Sequence, residues 1–163
     1  MEFQQQENNV KIKRKKMMIK IIPAMLQADI DRCTAIRREV FVVGQQIPET
    51  EEIDDKDMQG SGCMHFLVVI DDKDAGAFRM SVNGNNVAKL QRLCLRKEYR
   101  GLGHGKYILE FVDGYCEAMD IPKVRIDAQC DSVGFYEKCG YVLKSEPFEE
   151  VGIMHVKMQK KYI

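Results

Sequence analysis

The 163-residue sequence predicts a mixed α/β fold of the α+β type, one mostly antiparallel central sheet flanked by helices. Strand-patterned and helix-patterned runs alternate along most of the chain. Three strand-like runs follow one another with tight turns between them. A glycine-rich turn then leads from the third of these into a helix.

Residues 1–16 hold a glutamine cluster and the basic stretch KIKRKK, and are expected to form a solvated, partly disordered tail ahead of a single domain over 17–163. MMIKII (17–22) reads as a strand that stops at Pro23. Leu26 to Val43 reads as a helix, with Ile30, Cys33, Ile36, Val40 and Phe41 at three- and four-residue spacing. PETEEIDDKDMQGSG (48–62) is an acidic loop closed by glycines. HFLVVI, AFRMSV and VAKLQRLCL are three strands of an antiparallel meander, linked by DDKDAG and by the hairpin signal NGNN.

RGLGHG (100–105) precedes a helix with Ile108, Val112, Tyr115, Cys116 and Met119 on one face, ended near Pro122. KVRIDAQ is a strand, VGFYEKCG a short helix closed by Gly140, and YVLKSEPF and GIMHVKMQK are two final strands. The order β-α-βββ-α-β-α-ββ gives about six to seven strands.

Composition excludes several classes. The formal net charge is +0, against a dedicated nucleic-acid binder. No apolar run reaches the ~20 residues that span a bilayer, and MMIKII is too short and too interrupted for a secretory signal. These features predict a cytoplasmic protein with no membrane partner. The six cysteines form no C-x-x-C pair and the three histidines are dispersed, so neither a metal site nor a disulfide framework is expected. The cysteines read as small core or half-buried residues.

A strand, a glycine turn and a helix N-terminus together make an anion cradle. The first helical amides lack partners, and the helix dipole adds a partial positive charge. RGLGHG does not fit the dinucleotide pattern G-x-G-x-x-G, which needs glycine at Lys106. It does not fit a Walker loop either, because Gly105-Lys106 is followed by Tyr107. Without its flanks, the turn is compatible with a ligand-free connection.

The flanks carry a resemblance. RLCLRKEYRGLGHGKYIL resembles the acetyl-CoA-binding motif of the GNAT superfamily of acyl-CoA-dependent N-acetyltransferases, [QR]-x-x-G-x-[GA], with Arg100, Gly103 and Gly105 at the defining positions. Downstream, AQCDSVGFYEKCGY is similar to the family stretch F-Y-x-x-x-G-[FY]. REVFVVGQQIP, EEIDDKD, His65 and EEVGIMH are similar to the small ElaA-like branch, which has E-Q where this chain has Gly44-Gln45.

The resemblance implies a sheet splayed between its fourth and fifth strands, with the pantetheine arm of acetyl-CoA in the gap. Leu93, Cys94 and Leu95 would offer strand backbone, and Arg100, Gly101, Leu102, Gly103, His104, Gly105 and Lys106 would hold the pyrophosphate. Gln129 stands where the family often has an asparagine on the pantetheine arm. Tyr136 matches the tyrosine that protonates the leaving thiolate. Many relatives carry a glutamate base six residues before Leu95, where this chain has Lys89, so His65 or Glu39 becomes the candidate base.

The implied reaction is direct acetyl transfer to a primary amine, with acetyl-CoA and a small-molecule amine as partners and no metal. A ping-pong route through Cys94 or Cys130 needs a reactive thiolate that the sequence does not establish. His155, in E-x-G-I-x-H, is a candidate for the acceptor pocket. The acidic loop would favour cationic acceptors, whereas Arg37 and Arg38 would favour anionic ones. The alternatives are a non-catalytic acyl-CoA-binding regulatory module, suggested by the missing glutamate, and a protein lysine or N-terminal acetyltransferase. A homodimer is compatible with an exposed C-terminal sheet edge.

Overall fold

The computed structural model describes residues 15–162. All but the last two positions of the expected tail therefore lie outside the described residues. β1 (Ile19–Ala24), β2 (Met64–Ile70), β3 (Lys73–Val82) and β4 (Val87–Leu95) pair antiparallel in succession. β5 (Lys123–Gln129) joins β4 in parallel, and β8 (Ile153–Lys161) pairs antiparallel with β5. Two short strands, β6 (Val142–Leu143) and β7 (Phe148–Glu150), also pair with β8. The result is one eight-stranded sheet in the order β1-β2-β3-β4-β5-β8-β6.

Two expectations need correction. β1 does not stop at Pro23 but runs to Ala24; it is the edge strand, where the missing proline amide costs no ladder bond. YVLKSEPF is not one unbroken strand but two short ones along the same edge of β8, because the register slips between Leu143↔Met158 and Phe148↔His155, with a bend at Ser145.

α1 (Gln27–Arg37) carries on as a π-helical turn over Arg38–Val43, and α2 (Glu49–Glu52) is a single turn. α3 (His104–Ala118) follows the glycine turn and α4 (Val133–Lys138) follows β5. α3 ends one residue before Met119, which is exposed rather than part of the buried face. Among the described residues, no helix is long and apolar enough to cross a membrane.

Strand alternation divides the core in two. Phe66, Val68, Phe78, Met80, Leu90, Val124 and Ile126 face Ile108, Val112 and Cys116 of α3. Leu67, Val69, Ala77 and Cys94 face Ile30, Cys33 and Ile36 of α1 and Val40 of the π-helical turn. α1 packs chiefly on β1 to β4.

The acidic segment is not a free loop. Arg37 donates from Nε to Glu52 (3.0 Å) and from Nη1 to Asp57 (2.5 Å), and its Nη2 reaches the Glu52 carbonyl (2.7 Å). Arg79 on β3 donates to Asp54 (2.8 Å) and Asp57 (2.9 Å). Arg92 on β4 completes the set against Glu52 (3.3 Å). Arg37 and Arg79 are each 1% exposed, and Glu52 and Asp57 each 3%. A buried charge survives only with such partners.

Burial alone would push the Asp57 carboxyl up, but hydrogen bonds from Arg37 and the Asp54 amide, with the nearby guanidinium charges, hold it down at about 2. A depressed carboxyl contributes stability that is present above its ordinary value of 3.8 and is lost as pH falls through the folded value. For Asp57 this is about 2 kcal/mol. Glu52, pushed up by burial despite Arg92 and Arg37, works in the opposite sense.

Asp57→Ala takes from two buried guanidinium groups the carboxylate they share and is expected to cost about 3 kcal/mol in urea unfolding at pH 7. The wild-type margin over the variant should shrink as pH is lowered from about 4 to about 2. A margin unchanged over that range would refute this account of the network.

Candidate functional site

The sheet parts where the sequence expects it to. β4 and β5 pair at Val87↔Lys123, Ala88↔Val124 and Lys89↔Arg125 and then separate, although β4 continues to Leu95 and β5 to Gln129. A bulge starts the separation. Ala77 faces Cys94 while Arg79 faces Gln91, and Arg92 takes φ +57°, a left-handed conformation costly for a non-glycine residue. The buried network holds it there: Arg92 Nε reaches the Glu52 carbonyl (3.3 Å) and Nη2 the Glu51 carbonyl (3.2 Å).

Beyond the bulge, Leu93 and Leu95 are half-buried and Cys94 is buried. Burial pushes the Cys94 thiol up to about 12, so it stays a neutral thiol at neutral pH. The Leu95 carbonyl accepts from Arg100 Nε at 2.9 Å, which ties the glycine turn back onto β4.

Gly101 (φ +73°) and Gly103 (φ +86°) make the turn, and Gly103 is the N-cap of α3. A glycine cap offers no side-chain acceptor, so the amides of His104, Gly105 and Lys106 have no capping partner. Leu102 is exposed, and Lys106 lies in solvent 3.9 Å from Glu110. His104 is buried, and its Nε2 has no hydrogen-bond partner. Uncapped amides and a buried unpaired ring nitrogen at one helix start fit a phosphate-bearing group.

α4 closes the other side. A Cβ at Gly105 would stand 3.0 Å from the Phe135 ring, so the glycine lets α4 seat against the start of α3. Tyr136 packs edge-on against Phe135 (5.1 Å) and Tyr141 (5.6 Å). Burial, with a small contribution from Cys139, pushes its phenol up to about 12. The hydroxyl therefore keeps its proton at neutral pH, as an acid must.

Gln129, at the end of β5, exchanges two side-chain hydrogen bonds with Gln45 (2.7 and 3.1 Å). The π-helical turn brings Gln45 there, because the Gly44 amide closes it on the Glu39 carbonyl and the chain then reaches across toward β5. His155 lies opposite Gln129 on β8, buried, stacked on Phe148 at 6.0 Å and donating from Nδ1 to the Ile153 carbonyl (2.7 Å).

Other sequence candidates stand elsewhere. His65 is buried on β2, two strands from the gap, where Nε2 donates to the Lys56 carbonyl (2.7 Å) and burial lowers its pKa. Glu39 is exposed and holds Arg96 (2.5 Å). Arg37 directs Nε, Nη1 and Nη2 into Glu52 and Asp57, and Arg38 meets Glu49. The acidic run likewise gives Glu49, Glu52, Asp54 and Asp57 to arginines, which corrects its reading as an open field for cations.

The sequence reading passes over Gln45 and Asp127. Asp127 lies within reach of Lys89 (3.6 Å) and Lys157 (3.8 Å) on the sheet face opposite α3. The alternation in KVRIDAQ, which sets Arg125, Asp127 and Gln129 apart from Val124, Ile126 and Ala128, was the available signal.

The family model described as "Acetyltransferase (GNAT) domain" matches residues 34–162, and the chain belongs to that family. It is 35% identical over 135 residues to YyaT of Bacillus subtilis (strain 168), covering 83% of this chain and 90% of YyaT. Escherichia coli ElaA shares the fold with a TM-score of 0.75 at 20% identity, over 90% of this chain and 100% of ElaA. PaiA N-acetyltransferase of Thermoplasma acidophilum, crystallised in complex with coenzyme A, gives a TM-score of 0.68 at 19% identity, over 89% of this chain and 99% of PaiA.

Gly105→Val drives a branched side chain into Phe135, an overpacking expected to cost about 1–3 kcal/mol. Thermal unfolding should show Tm lowered by about 2–4 °C for each kcal/mol. An unchanged Tm would mean that α4 does not depend on this approach.

Proposed function

We propose that this chain moves an acetyl group from acetyl-CoA to the primary amine of a small molecule, by direct transfer with both substrates bound. One observation carries the reading. The parting of β4 from β5 lies beside an uncapped helix N-terminus and a tyrosine whose phenol is held protonated. Family membership supports acyl transfer, and coenzyme A in the PaiA structure supports the donor.

When bound, acetyl-CoA supplies an activated thioester. The backbone around Leu93 and Cys94, with Gln129 opposite, would hold the pantetheine arm, and the amides from Gly101 to Lys106 the pyrophosphate. A β4 amide would donate to charge developing on the carbonyl oxygen. As the nitrogen–carbon bond forms and the carbon–sulfur bond breaks, Tyr136 gives its proton to the departing sulfur.

The nitrogen must lose a proton too. With His65 bonded elsewhere and Glu39 on Arg96, the ammonium sheds its first proton in solution and the amine enters neutral; the second proton, lost from nitrogen as the amide forms, passes through solvent and restores the Tyr136 phenol. An alkylammonium has a pKa near ~10, so the neutral fraction rises about tenfold per pH unit below that value.

Release of the CoA thiol, followed across a panel of small amines, should exceed the no-amine blank, and Tyr136→Phe should lower kcat roughly a hundredfold. kcat/KM should climb with a slope of about one in a log plot from pH 7 to about pH 9. A plateau below pH 8 would place a base on the protein, and a fully active Tyr136→Phe enzyme would remove the tyrosine from the chemistry. Acetyl-CoA binding without turnover on any amine would favour the regulatory module.

A further inference from the structure

α1 packs chiefly on β1 to β4, and on the same face of the sheet Arg125 of β5 and Lys157 of β8 stand exposed. On this face lies a cavity of about 430 Å³, floored by β4, β5 and β8. It opens where the sheet begins to part, because Lys89↔Arg125, the last β4–β5 pair, contributes both side chains to its wall. Its volume suits a small molecule.

Its charge is one-sided. Lys89, Arg125, Lys144 and Lys157 line it together with one carboxylate, Asp127. Asp127 is already shared, with Oδ2 3.6 Å from Lys89 Nζ and Oδ1 3.8 Å from Lys157 Nζ. Arg125 and Lys144 have no carboxylate within salt-bridge distance among the described residues. Cations gathered around a concave wall without matching anions repel one another until an anion enters, and they disfavour a purely cationic guest.

We propose that this cavity receives the acetyl acceptor, and that the acceptor is a small amine carrying a carboxylate or phosphate group. This rests on the acyl-transfer reading above. Arg125 and Lys144 take the anion, Arg125 with the forked geometry that suits carboxylate and phosphate, and Asp127 accepts a hydrogen bond from the acceptor's neutral amine. The inversion at Lys89, a cation where the resemblance expects a glutamate, then follows from the acceptor's own charge.

The test uses two matched pairs on full-length protein: β-alanine against β-alaninamide, and O-phosphoethanolamine against ethanolamine. Calorimetric binding is read on the CoA-loaded protein, and release of the CoA thiol is read with acetyl-CoA as donor. At least one anionic member should bind ten times or more tightly than its neutral-tailed partner, and the pair that discriminates identifies carboxylate or phosphate. The double variant Arg125→Gln/Lys144→Gln should weaken that member about tenfold, leave the neutral-tailed partner unchanged, and leave the affinity for CoA unchanged. Added salt should also erode the preference.

Equal binding within both pairs, no binding by either anionic member, or a double variant that binds the anion as tightly as wild type would each overturn the proposal. CoA affinity is measured separately. Its absence in the wild-type protein would instead sink the reading of the glycine turn and the strand gap as a donor site.

Discussion

Three guanidinium groups and three carboxylates, gathered between α1 and the sheet with Arg37, Arg79, Glu52 and Asp57 shut from water, hold this architecture together. Arg37 comes from α1, Arg79 from β3 and Arg92 from β4, whereas Glu52, Asp54 and Asp57 all come from one short segment. Without that segment, two fully buried arginines would face apolar surface at a cost far above the stability of a domain this size. Arg92 is the member with the longest reach. Its left-handed backbone makes the bulge, the bulge turns β4 away from β5, and the parting creates the site.

The gap is therefore a product of strain fixed at a distance. A non-glycine residue at positive φ is tolerated because its side chain is bonded on the far side of the sheet from α3. Gln45 and Gln129 act at the other end, where a side-chain pair rather than a backbone ladder links the π-helical turn to β5. Such a link is weaker than a ladder and exposed to solvent. It holds the mouth in place while leaving strand backbone unpaired.

Most of the scaffold was legible in the sequence because it rests on local rules. Alternation marked the meander, NGNN marked the β3–β4 hairpin, and the glycine triplet marked the start of α3. The parting of β4 and β5 came from the family resemblance carried by Arg100, Gly103 and Gly105. What the sequence concealed depends on pairing across distance. Arg37 and Glu52 look like ordinary surface charges on a helix and a loop until the fold brings them together and excludes water. His65 looks like a base until its ring is seen bonded to the Lys56 carbonyl. Asp127 was hidden for a different reason: a single aspartate in a strand draws no notice until the strand beside it supplies Lys89 and the next supplies Lys157.

β8 has a consequence for the order in which the molecule assembles. It is the partner of β5 on one side and of β6 and β7 on the other, yet it follows them all in the chain. β1 to β4 and α1 can settle early, since each strand there meets its predecessor. β5, held to β4 by only a short ladder, must wait with an open edge for β8 to arrive. During biosynthesis, one wall of the gap between β4 and β5 thus forms last, and the half-made sheet carries its open edge beside that gap.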